Sequence, residues 1–252
     1  MNYSSEKMKS NTPIEIRYKA GKYIATLVIS LWFAAFFFGM QIELDLRSPL
    51  QWIWILLVTH LFTGLFITAH DAMHGIVAKD QPKLNKRIGQ ICTTLYAFFS
   101  YDMMHTNHHK HHNHTATEED PDVHEGSFLI WYYKFLREYI SIWQILFYAI
   151  AFNLLKLIYP TENLLLFWIL PALLSTFQLF YFGTYKPHHK EHQHRNVYKS
   201  GSMKLDHALS FMACYFFGYH YEHHAHPYVP WWQLWKVKES YAEQTDYLDS
   251  SS

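Results

Sequence analysis

Four long apolar runs constrain this chain more than any other feature: Tyr23 to Met40, Leu50 to Ala69, Tyr139 to Ile158 and Leu164 to Gly183. Each is about 20 residues with almost no charge, enough to cross the ~30 Å hydrocarbon core of a bilayer. A soluble fold would have to hide four helices that are apolar all round. Composition agrees with a membrane reading: half of the 252 residues are hydrophobic, 19% are aromatic and only 17% are charged. Two shorter runs, Ile88 to Tyr101 and Ala208 to Tyr219, are too short to span and read as re-entrant, interfacial or buried helices. The expectation is an all-α integral membrane protein with about four transmembrane helices, further interfacial or re-entrant helices, and a His-rich cytosolic cap. Its divisions are a cytosolic segment 1–22, a catalytic domain 23–235 and a polar tail 236–252. No cleavable signal peptide is expected, because the polar, basic head lacks a short apolar core followed by a small-residue cleavage site.

Charge orients the spans. With the N-terminus inside, the outer loops 41–49 and 159–163 contain a single basic residue, Arg47, whereas the inner segments carry 19 of the 21 Lys and Arg. That asymmetry predicts a multi-pass protein of the cytoplasmic (inner) membrane with its His-rich segments inside. The formal net charge is zero, which gives no attraction for a polyanion and argues against a nucleic-acid partner. Cys92 and Cys214 lie in apolar stretches without CxxC spacing and read as buried thiols.

The chemistry lies in 19 histidines, all but His60 between His70 and His226. "HDAMH" sets His70 and His74 one helical turn apart at the end of the second run, close enough for one metal or a bracketed pair. "HYEHH" puts His220, His223 and His224 on one wedge of helix. Between them, "HTNHHKHHNH" offers two HxxHH registers: His105, His108 and His109, or His108, His111 and His112, with His114 one step beyond the second. The spacing leaves both open. "PHH" adds His188 and His189. Buried imidazoles need hydrogen-bond partners or a metal, so a cluster of this size points to ligation. A single zinc takes three or four protein ligands, so eight or more candidates imply two metals. Carboxylates are scarce in these boxes, unlike the Glu and ExxH set of soluble di-iron bundles. Asp71, Asp102 and Glu222 are placed to accept N–H bonds from ligand histidines. Imidazole suits several metals; a redox metal beneath apolar helices suggests oxidation of a lipid-soluble substrate by dioxygen.

"HDAMHG", the His-rich box followed by "EEDPD", "FGTYKPH" and "HYEHHAHPYVPWW" together resemble the bacterial β-carotene ketolases, a branch of the membrane fatty-acid desaturase and hydroxylase superfamily. The likeness runs from His70 to Trp232. It implies His70, His74, His108, His111, His112, His188, His220, His223 and His224 as ligands of two Fe2+ ions, with O2 as co-substrate. The acidic "DPD" turn selects His108, His111 and His112 over the other register, leaving His105 and His109 aside and His114 beside the ligands. His194 matches a recurrent family histidine. The implied reaction is two hydroxylations of an allylic ring C4 methylene of a carotenoid, followed by loss of water to a ketone. Met73, Tyr101, Met103, Met104, Phe216 and Phe217 are candidates for lining an apolar slot. No Gly-rich nucleotide fingerprint is present, so electrons would come from a separate donor, such as a ferredoxin and its reductase, docking on Lys79, Lys83, Lys86 and Arg87. The same site would serve a fatty-acid or lipid desaturase or hydroxylase, and a membrane metal-binding or sensing protein is the reading from another class.

Overall fold

A computed structural model describes residues 15–189, 196–204 and 206–242. All regular structure among them is helical. In chain order the helices are α1 (Gly21–Gly39), α2 (Pro49–Met73), α3 (Pro82–Ala97), α4 (Tyr101–His114), α5 (Phe128–Tyr139) and α6 (Ile142–Leu155). Then come α7 (Thr161–His188), α8 (His207–Cys214), α9 (His220–Ala225) and α10 (Leu234–Ala242). The helix of α1 with its leading turn, α2 and α7 are each long and apolar enough to cross a bilayer. The expected third span is different. The run from Tyr139 to Ile158 contains only the 14-residue α6, which meets α5 at a bend of 87°, so the two form one broken span or a re-entrant hairpin. Ser141 forces the break by capping a new helix, its hydroxyl accepting from the Gln144 N–H at 3.1 Å.

At the centre stands α2, packed against α1, α3 and α7. Phe62, Leu65 and Ile67 are fully buried, while Leu56, Phe38 and Ile145 on the outer faces are left to lipid. Some polar groups inside the bundle pair across it: the Thr63 hydroxyl lies 2.8 Å from that of Ser175 and 2.6 Å from the Gln178 amide oxygen. Helix α7 tolerates two prolines, Pro171 and Pro187, because each follows a widened π turn (Leu165–Ile169 and Phe180–Tyr185). The wider turn gives room to a ring that would otherwise strike the preceding carbonyl. The run Ile88 to Tyr101 becomes the end of α3, a left-handed Phe98 (φ 57°), and the start of α4. Packing continues past residue 235, since Val237 and Tyr241 of α10 are buried with Tyr219 and Tyr221.

Candidate metal centre

The polar ends of α2, α4, α7 and α9 meet at one end of the bundle, and local devices fix each. After His74, Gly75 takes a left-handed φ of 74°, and the chain turns back under the side chain of Asn85. The Asn85 amide donates to the Ala72 carbonyl at 2.7 Å, and its oxygen accepts from the N–H groups of Val77 and Ala78 at 3.1 and 3.2 Å. Tyr101 donates to the same Ala72 carbonyl at 2.9 Å, which brings the start of α4 beside the end of α2. That approach requires Gly89, because a Cβ there would stand 2.1 Å from the Tyr101 ring. The short α9 is stitched to the end of α7 through 199–203. Gly201 donates to the Pro187 carbonyl and accepts from Tyr221, and His188 Nδ1 donates to the Lys199 carbonyl at 3.0 Å.

Two groups of four imidazoles result. His70, His74, His108 and His223 form one; His111, His188, His220 and His224 form the other; within each, the candidate ligand nitrogens lie within 4.8 Å of one another. His112 joins them from between, with Nε2 2.9 Å from that of His223 and its ring stacked on His224 at 4.2 Å. Neighbouring Nε2 atoms are 2.7–3.2 Å apart: His74 with His108, His70 with His223, His111 with His224, and His220 with His224. Adjacent ligands bound at about 2.1 Å to a shared cation should be roughly 2.9–3.4 Å apart. The donor set therefore fits two metal ions. Burial, with the adjacent imidazoles adding to it, holds His108, His220, His223 and His224 well below the ordinary imidazole range. Neutral imidazole is the form with a lone pair to give.

Carboxylates orient the rings. His111 Nδ1 donates to both oxygens of the buried Asp120, at 2.9 and 3.1 Å, and lies 3.9 Å from Asp122. Burial alone would lower His111, but Asp122 and Asp120 outweigh it and raise its affinity for a proton. Burial pushes the Asp122 carboxyl up to about 6, and Tyr139 donates to it. Asp71 faces His70 Nδ1 at 3.4 Å and accepts from the Trp231 N–H at 3.0 Å, anchoring "PWW" to α2. Glu222, buried on α9, accepts from Ser202 at 2.9 Å and from Lys238 at 3.4 Å, linking α9 to α10.

The expectation for Asp102 is corrected. It sits in the exposed first turn of α4 and pairs with Lys86 at 2.7 Å, because the α4 face bearing the inward histidines is turned away from it. His114 is exposed too and pairs with Glu119. His105 and His109 stack on each other, and His109 Nδ1 donates to the His105 carbonyl. His194 lies outside the described residues. Asp120 and Asp122 were not foreseen as partners of the rings, nor Tyr139 as the donor to Asp122. The signal was present in the "DPD" turn, which ends a short excursion after α4 and returns its acids to His111.

Beside the imidazoles is a cavity of about 40 Å³, with His70, His108, His111 and His220 on one side and Phe135, Tyr139, Leu179 and Phe217 among its other walls. Met73 and Met104 also line it, as expected; Tyr101, Met103 and Phe216 do not. Phe217 reaches in because Gly183 has no side chain, since a Cβ there would stand 2.0 Å from the Phe217 ring. It is aimed by two successive left-handed residues, Tyr215 (φ 50°) and Phe216 (φ 61°), a strained pair for aromatic side chains.

The fatty acid desaturase family model matches residues 47–162 and 129–250. The chain belongs to the fatty acid desaturase family. Within it, the similar proteins are ketolases. It is 41% identical over 242 residues to the beta-carotene 4-ketolase of Protosiphon botryoides, covering 85% of this chain and 62% of the relative. It is 39% identical over 236 residues to the zeaxanthin 4-ketolase of Chlamydomonas reinhardtii (87% and 53%), and 39% over 180 residues to a beta-carotene ketolase of Paracoccus sp. (70% and 74%). The chain thus spans only about half to three quarters of the length of these relatives. No solved structure matches it.

Proposed function

We propose that this protein is an O2-dependent membrane oxidoreductase that converts the allylic ring C4 methylene of a β-carotene-type substrate to a ketone. The observation that carries the reading is the pair of imidazole groups, built from four helices on the frame of a family whose similar members are named as ketolases. His70, His74, His108 and His223 would hold one Fe2+ and His111, His188, His220 and His224 the other, with His112 between them. Bound iron would supply the redox chemistry, activating dioxygen for two successive hydroxylations of one carbon, and loss of water would then leave the ketone. The chain's own share is placement and exclusion. Asp120 and Asp71 fix ring orientation on the two groups. Phe66, Phe135, Leu179 and Phe217 wall the space beside the imidazoles with apolar side chains, which would keep water from a reacting carbon.

A 40 Å³ space admits a diatomic molecule or a water or two, not a carotenoid ring. Ring entry therefore requires side chains on α5 to shift. Phe135 and Tyr139 face the small cavity, while Tyr132 and Leu136 of the same helix face a larger apolar one. The positive-inside pattern supports a cytosolic position for the site, and Lys79, Lys83 and Arg87, exposed near it, would receive an acidic electron donor such as a ferredoxin. Expression in cells that accumulate β-carotene tests the reading: carotenoids bearing a ring ketone are expected by mass and absorption. Unchanged carotenoids alongside altered fatty acids would instead place the activity on acyl chains.

A further inference from the structure

The larger cavity, about 560 Å³, lies between the α5–α6 hairpin and α7 and is walled almost entirely by apolar side chains. Five polar side chains interrupt that wall, on Tyr132, Gln144, Tyr148, Asn153 and Thr176, and two of them leave a buried atom unpaired. Gln144 is the only buried residue of α6, an otherwise lipid-facing helix. Its amide oxygen is buried and has no hydrogen-bond partner among the described residues. One turn along the same face, the Tyr148 hydroxyl is likewise buried and unpartnered, its ring stacked on Trp168 at 4.6 Å. The cavity's other hydroxyls, on Tyr132 and Thr176, satisfy each other at 2.9 Å. Unpaired polar groups are costly within a bilayer and mark functional positions there. An amide oxygen requires a donor, and a hydroxyl can give or accept, so one hydroxyl on an apolar molecule lodged in this cavity would satisfy both.

Position completes the argument. Along α7, Trp168 and His188 stand about 30 Å apart at the helical rise, roughly the thickness of the hydrocarbon core. A rigid polyene carrying a ring at each end, with one ring at the imidazoles, would bring its other end to the level of Tyr148. We propose that Gln144 and Tyr148 form a subsite for a hydroxyl on the far ring of the substrate, so that the protein prefers ring-hydroxylated carotenoids. This rests on the carotenoid reading above.

The test is direct binding of zeaxanthin, hydroxylated on both rings, and β-carotene, which lacks hydroxyls, to the full chain in lipid nanodiscs, read by quenching of tryptophan emission. Wild type is expected to bind zeaxanthin about three- to tenfold more tightly than β-carotene. Gln144→Leu and Tyr148→Phe should each reduce that ratio, and the double variant should bring it to one, while β-carotene affinity stays unchanged. Equal affinities in wild type, or a ratio that neither variant moves while β-carotene still binds, would overturn the subsite alone. Failure of wild type to bind either carotenoid would overturn the carotenoid reading and the subsite with it.

Discussion

Replacing Asp120 with Asn changes one atom and tests how the second imidazole group is held. The Asp120 carboxylate takes four contacts: His111 Nδ1 on both oxygens, the Ala116 N–H at 2.7 Å on Oδ2 and the Asp122 N–H at 2.9 Å on Oδ1. An amide has only one accepting oxygen. Whichever way it is turned, its NH2 group faces a backbone N–H, leaving one buried donor unpaired at a cost of about 1–3 kcal/mol. The charge-assisted bond to His111 is lost too, and an orienting partner of this kind typically changes metal affinity by about 10–100-fold, or roughly 1.4–2.7 kcal/mol. The assay is a competition between purified protein and a graded Fe2+ chelator, followed by metal content per chain. One of two iron equivalents should be released at a chelator strength about 10–100-fold lower than in wild type. Glu119→Gln, an exposed neighbour, should leave the curve in place. A folded Asp120→Asn protein with the wild-type curve would refute the claim that this carboxylate sets the ring.

His223→Ala should abolish turnover and lower iron content, because that ring touches both His70 and His112; His109→Ala should keep most activity, and equal losses in the two would mean the wrong register of the central box. Asp102→Asn should leave iron content and turnover unaltered and change stability by less than about 1 kcal/mol, as expected for an exposed pair, measured by thermal unfolding in detergent. Gly183→Ala should lower stability by about 1–3 kcal/mol and reduce turnover, since the new methyl must displace Phe217. A wild-type melting curve and rate for that variant would show that the Phe217 contact is loose.

Much of the architecture was legible from apolar run length, which found α1, α2 and α7 to within a few residues at most of their ends. The α5–α6 bend was not, because hydropathy sums across a break that depends on a capping serine and two packed helix faces. Pattern brought the histidines into boxes but left two registers open in the central one. Helical phase alone does not say which face of α4 turns inward; the contacts of Tyr101 with Gly89 and Ala72 decide that. Asp102 misled for the same reason, being adjacent in sequence to the box yet on its outer face. Asp120 shows the opposite error, a ligand partner that loop closure returns to His111 from nine residues away.

Both imidazole groups draw on α9, and their members lie far apart in the chain: His70 and His223 are 153 residues apart, His111 and His224 113. Synthesis proceeds from the N-terminus, so during translation neither group is complete until the segment after Tyr219 has emerged. Iron would then be acquired late, by a chain whose spans are already inserted, and each ion would act as a clasp closing a loop of more than a hundred residues. Iron-depleted protein should accordingly keep its membrane helices while the segment from 199 to 242 exchanges its amide hydrogens faster.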